Sequence, residues 1–134
     1  MDRRLLFQVK NINKVIERKM ERLTTLRALA EGGAIQYDRD PVQTSSRQDR
    51  LESIVAQIVD LEGEIDRLVD ILVKCKRDGT EVIDRLSKEK YRDVLYNRYM
   101  LCQTVRQTAK LMDRSEIWVK KTQKDALKEY DLMK

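Results

Sequence analysis

The sequence predicts an all-α protein: a long antiparallel, coiled-coil-like helical hairpin followed by a helix-turn-helix unit. Three observations carry that expectation. The 134 residues include one proline and four glycines against 38% charged residues, a composition rich in straight-chain helix formers. Apolar residues recur at alternating steps of three and four over two long stretches, the period of a helical seam. The basic excess lies entirely in the last third: residues 1–87 hold 16 Lys+Arg and 16 Asp+Glu, whereas residues 88–134 hold 12 and 7.

The first helix is expected over residues 3–31. Leu5, Val9, Ile12, Ile16, Leu23, Leu26 and Ala30 form its stripe, interrupted at Lys19, and Gly32-Gly33 ends it. Residues 34–46 have no helical period and contain the proline. They predict a loop long enough to be either mobile or functional. In the second case Tyr37, Arg39 and the cluster Gln43-Thr44-Ser45-Ser46 are the residues to touch a partner.

The second helix is expected from Arg47 to Arg77, capped by Ser45 with Gln48 three residues on. Leu51, Ile54, Ile58, Leu61, Ile65, Leu68, Leu72 and Cys75 give an unbroken seam, and Asp78-Gly79 closes it. Each helix is about 45 Å long at 1.5 Å per residue, so a hairpin over residues 1–79 follows. Val55, Val59, Val69 and Val73, with Val15 and Met20, exceed what two helices can cover. The surplus needs either the C-terminal unit or a second copy, and a homodimer or higher homo-oligomer through the hairpin is the expected arrangement.

Residues 80–134 form the second expected domain, with its boundary between Gly79 and Ser87. Thr80 can cap a short helix bearing Val82, Ile83 and Leu86, and Ser87 restarts helix at Lys88 with Tyr91, Val94, Leu95 and Tyr99 facing inward. Thr104 then caps a helix whose repeating face is Val105, Thr108, Ala109, Leu111 and Met112. Asp113-Arg114 interrupts it, and Asp113 must accept a left-handed backbone. Ser115 opens a longer helix with Val119, Thr122, Ala126 and Tyr130 inward. Short helix, tight break and longer basic helix make the pattern whose second helix enters a DNA major groove.

If Val119 is inward, Ser115, Glu116, Lys120, Lys121 and Lys124 face outward. Arg106, Lys110 and Arg114, on and after the shorter helix, suit phosphate contacts. Trp118 sits at the margin, where it packs, contacts the DNA backbone through its indole N–H, or docks a protein.

This region resembles the promoter-reading C-terminal domain of bacterial sigma factors. The likeness starts at Leu86-Ser87-Lys88-Glu89-Lys90-Tyr91-Arg92-Asp93-Val94-Leu95-Tyr96-Asn97-Arg98-Tyr99 and continues through Thr104, Ala109, Met112, Ser115 and Val119 to Ala126-Leu127, covering roughly Ser87 to Tyr130. With its helical front half the chain also resembles small regulators of Gram-positive phages and prophages, the late-gene activators of the ArpU and RinA type. The resemblance implies that Glu116, Ile117, Lys120 and Lys121 read bases. A glutamate accepts from cytosine, an isoleucine meets the thymine methyl, and a lysine donates to guanine. Glu116-Ile117-Trp118 departs from the arginine-rich opening of the sigma recognition helix, so the usual promoter specificity does not carry over.

The expected function is therefore sequence-specific binding of double-stranded DNA by a phage or prophage transcription regulator. Alternatives are an adaptor that docks on RNA polymerase or another protein, and a small DNA-packaging subunit. Enzymatic chemistry is not expected, because the chain has no histidine and no glycine-rich phosphate loop or catalytic carboxylate motif. No cofactor is expected. Cys75 and Cys102 lack metal-ligand spacing and read as reduced apolar fillers. The longest apolar runs are far short of the ~20 residues of a membrane span, and Leu5-Leu6-Phe7 is too short for a signal-peptide core. A cytoplasmic protein without membrane contact is expected.

Overall fold

A computed structural model describes the backbone of residues 3–36 and 44–133, and the side chains of residues 3–32 and 46–133. Its elements are α1 (Arg4–Gln36), α2 (Thr44–Ile83), α3 (Glu89–Leu95) running into a π-helical turn (Tyr96–Met100), α4 (Val105–Met112) and α5 (Glu116–Leu132). The fold is all-α, with no strand among the described residues.

Both long helices outrun their expected ends. α1 passes Gly32 and Gly33 to Gln36. α2 begins at Thr44, ahead of the Ser45–Gln48 pair expected to cap it. Residues 34–36 and 44–46, expected in the loop, are therefore helical. The partner contacts suggested for Tyr37, Arg39 and Gln43-Thr44-Ser45 lie outside the described side chains. α2 also runs through Asp78-Gly79 to Ile83, so the stop expected there does not occur. Gly79 is a close-approach glycine inside a helix: a Cβ there would sit 3.0 Å from Cε and 3.2 Å from Sδ of Met100, and 3.8 Å from Leu6.

The structure divides into two compact units, residues 14–70 and residues 1–13 with 71–134. In the first unit, Leu23, Leu26 and Leu61 are buried with Ile54, Ile58 and Ile65 packed against them. Lys19 Nζ donates to Glu64 at 2.9 Å and Arg27 Nη2 to Glu62 at 2.8 Å. Rising positions on α1 therefore meet falling positions on α2, the sense of antiparallel helices. The Arg27–Glu62 pair is exposed and the Lys19–Glu64 pair only part-buried, and water-accessible pairs contribute little; apolar burial stabilises this unit.

In the second unit the first turns of α1 join the C-terminal helices. Leu6 and Val9 are fully buried, whereas Leu5, expected in the stripe, is only half-buried. The Phe7 ring meets Tyr99 edge-on at 5.6 Å, and Lys10 Nζ lies 5.1 Å from the same ring. Arg3 donates to both carboxylate oxygens of Asp131. Val82, Ile83, Leu86, Val94, Leu95, Tyr99, Met100 and Tyr130 complete the core. Burial pushes the Tyr99 phenol above its ordinary pKa, against the opposing pull of Arg98 and Arg3.

Candidate nucleic-acid interface

The α4–turn–α5 segment is built by local hydrogen bonds that the sequence specifies. Thr104 Oγ1 accepts the N–H of Gln107 at 3.1 Å, and Gln107 Oε1 accepts the N–H of Thr104 at 2.9 Å. This reciprocal capping box opens α4. At the other end Asp113 adopts φ 55° and ψ 48°, the left-handed conformation. Its N–H reaches the Lys110 carbonyl at 3.4 Å, and the N–H of Arg114 reaches the Ala109 carbonyl at 2.9 Å. That pair is the Schellman arrangement, which satisfies carbonyls left open by the last turn. Ser115 Oγ then accepts the N–H of Trp118 at 3.1 Å and starts α5.

Val94 of α3, Ala109 of α4 and Val119 of α5 form one buried cluster, with Val105, Met112 and Trp118 against it. Ala109 permits the close crossing and Val119 fills it. Thr122, Ala126 and Tyr130 are buried as expected, and Leu127 joins them. Leu111 departs from expectation. It is 65% exposed, because Thr108, Ala109 and Met112 already occupy the inner arc of this short helix.

A second set of bonds fixes the scaffold behind the segment. Arg98 donates through Nε to Gln123 Oε1 at 2.8 Å and through Nη1 to the Gln103 carbonyl. Gln123 in turn donates to the Tyr99 hydroxyl at 3.3 Å. The Ser87 N–H and hydroxyl donate to the two oxygens of Glu129, at 2.8 and 3.0 Å. Arg92 holds the Leu86 carbonyl at 2.6 Å. Arg92 and Arg98 are thus committed internally, although the charge count alone placed them in the basic excess. Cys102 is also structural: it takes a left-handed turn conformation with φ 54°, a role its reading as an apolar filler did not include. Cys75 is buried, the Cys102 thiol donates to the Tyr99 carbonyl at 3.6 Å, and neither cysteine is in a disulfide.

All nine residues expected at the interface are exposed: Arg106, Lys110, Arg114, Ser115, Glu116, Ile117, Lys120, Lys121 and Lys124. Their situations differ. The Ser115 hydroxyl is engaged as the α5 cap. The Arg114 guanidinium lies 5.0 Å from the Trp118 ring centroid, a cation–π distance that orders both side chains. At 100° per residue, Ile117, Lys121 and Lys124 lie opposite the buried stripe of Val119, Thr122, Ala126 and Tyr130, while Glu116 and Lys120 stand to one side. Lys128, exposed and four residues past Lys124, extends the same face. Continuing the helical period one further turn would have found it.

Among the described residues no group of three or more His, Cys, Asp or Glu is placed to hold a metal ion, and no helix is long and apolar enough to cross a membrane. Comparison with protein-family models, with curated proteins and with solved structures finds no match.

Proposed function

We propose that this chain is a sequence-specific double-stranded DNA-binding protein, a transcription regulator of the phage or prophage kind that its sigma-like sequence suggests. The observation that carries the reading is the outer face of α5. Lys121, Lys124 and Lys128 line it with Ile117 at its start, directly opposite the buried stripe, and Lys120 flanks it. In this reading the capped first turn of α5 enters the major groove, where Glu116, Ile117, Lys120 and Lys121 meet base edges. Lys124 and Lys128 track the backbone, joined by Arg106 and Lys110 of α4 and by Arg114 at the turn. Two copies, joined through the long helices, would present two such units to two half-sites.

The test is binding to random and selected duplexes across a salt series. A steep loss of affinity with salt and enrichment of one motif are expected. Lys120→Ala with Lys121→Ala should leave the fold intact and weaken binding by roughly 1–3 kcal/mol for each lysine that reads a base. A folded double mutant that binds like the parent removes these lysines from the site.

A second reading, docking on RNA polymerase or another protein, is favoured by one observation. Leu111 and Ile117, on either side of the turn, are 65% and 79% exposed. Salt-insensitive association with a protein, and none with duplex, would select it.

A further inference from the structure

The outer face of α2 carries four valines that a folded chain ordinarily hides. Val55, Val59, Val69 and Val73 are 48%, 61%, 39% and 61% exposed. Each follows by one residue a position of the seam on the same helix: Ile54, Ile58, Leu68 and Leu72. They therefore form a second line about 100° around the helix from the first. Filling the gaps with Glu62 and Asp66, and the ends with Glu52 and Lys76, gives alternating steps of three and four throughout. That is the spacing of a helix-pairing seam.

This second line is self-complementary on reversal: apolar positions map onto apolar ones and its two ends onto opposite charges. Reflection about position 64 exchanges Val55 with Val73 and Val59 with Val69. It also exchanges Glu62 with Asp66, and Glu52 with Lys76. A two-fold interface requires such a surface, since each residue must suit the one it meets on the partner. Seam positions spaced by seven fall into two sets, 55, 62, 69 and 76 against 52, 59, 66 and 73. Every reflected pair joins one member of each set, as antiparallel helices require.

We propose that a second copy of this chain covers this face, its α2 antiparallel to the first with the two-fold axis crossing at Glu64. Val55 and Val59 of one copy then pack on the partner's Val73 and the partner's Val69. Glu52 meets the partner's Lys76, twice per dimer. A parallel pair would instead oppose Glu52 to itself and Lys76 to itself, so charge selects the antiparallel register. The centre is acidic: two Glu62 and two Asp66 gather near the axis. Arg27 of the same chain neutralises Glu62, donating to it at 2.8 Å. Among the described residues no cation pairs with Asp66 in this way, so it is the residue that holds the dimer's affinity down. The inference extends the two-copy arrangement proposed above but stands on α2 alone.

Sedimentation equilibrium of the full chain over the micromolar range tests it. The parent should dimerise, and Val59→Asp should weaken dimerisation by more than about tenfold by burying a charge at the interface. Asp66→Asn should tighten it, a gain that no folding defect can mimic. Glu52→Lys and Lys76→Glu should each weaken self-association, while an equal mixture of the two variants should form heterodimers, because their charges then complement. A parent that stays monomeric, an Asp66→Asn variant no tighter than the parent, or swap variants that pair no better together than alone would overturn the proposal. Duplex binding measured on the same samples separates the two readings. A monomer that binds DNA sinks the seam alone, and a dimer that ignores DNA sinks the DNA-binding function alone.

Discussion

The N–H of Arg114 donates to the carbonyl of Ala109 at 2.9 Å, across an Asp113 held in the left-handed conformation. This bond closes α4 and aims the start of α5, so the exposed face of α5 depends on one residue's tolerance of positive φ. A left-handed backbone costs an L-residue roughly 1–2 kcal/mol, least for aspartate and asparagine, and nothing steric for glycine. Asp113→Gly should therefore raise stability by about 0.5–1 kcal/mol after its own entropic cost. Asp113→Val should lower it by more than about 1 kcal/mol, since a β-branched residue is a true outlier there. Chemical denaturation checks both; a valine variant as stable as the parent would contradict the turn geometry.

Gly63 and Gly79 lie in the same helix yet should respond oppositely to added side chains. A Cβ at Gly63 meets only Arg67 Nη1 at 3.6 Å, an ordinary contact. Gly63→Ala should stabilise by about 0.5–1 kcal/mol through helix propensity. At Gly79 the same change presses on Met100, and displacement of that fully buried side chain should cancel the gain. Gly79→Leu should destabilise by about 1–3 kcal/mol through overpacking. Thermal melts of the three variants give the comparison.

Leu6 is completely buried in the unit that contains α4 and α5. Leu6→Ala should cost about 2–5 kcal/mol through reduced burial and the cavity left behind. Hydrogen exchange should then rise in α3, the π turn and α5, although these helices lie more than eighty residues away in sequence. Exchange confined to α1 would contradict the packing.

The Arg3 guanidinium, by hydrogen bonding and charge, holds Asp131 below the usual carboxylate pKa. A depressed folded-state pKa stabilises above the unfolded value and is lost as pH falls through the folded one. Stability should thus fall on acidification below about pH 4, the ordinary aspartate range. Asp131→Asn should remove part of that dependence while leaving neutral stability little changed, because both side chains are more than a third exposed. Glu64, held down by Lys19 in the same way, shares the acid limb. Melting temperature against pH for parent and variant measures the difference.

The local signals in the sequence were the legible ones. Thr104 with Gln107, the left-handed Asp113 and the Ser115 cap form bonds within a few residues, so their partners are fixed by spacing alone. The stripe Val119, Thr122, Ala126 and Tyr130 was readable for the same reason, as a period of one helix. The seam of Leu23, Leu26, Ile54, Ile58, Leu61 and Ile65 was readable too, because α1 and α2 follow each other in the chain.

Tertiary structure decided what depends on residues far apart. Gly79 reads as a helix stop, but the contact with Met100 and the burial of Val82 and Ile83 carry α2 onward at greater gain than a glycine costs. The pattern selects Leu5 for the stripe, but the C-terminal core buries Leu6 and leaves Leu5 half-buried. Arg92 and Arg98 count as surface charge until the Leu86 and Gln103 carbonyls and the Gln123 side chain claim them. Propensity and periodicity act over one or two helical turns. Where a helix ends, which leucine is buried and which arginine is exposed are set by packing energies that no local stretch contains.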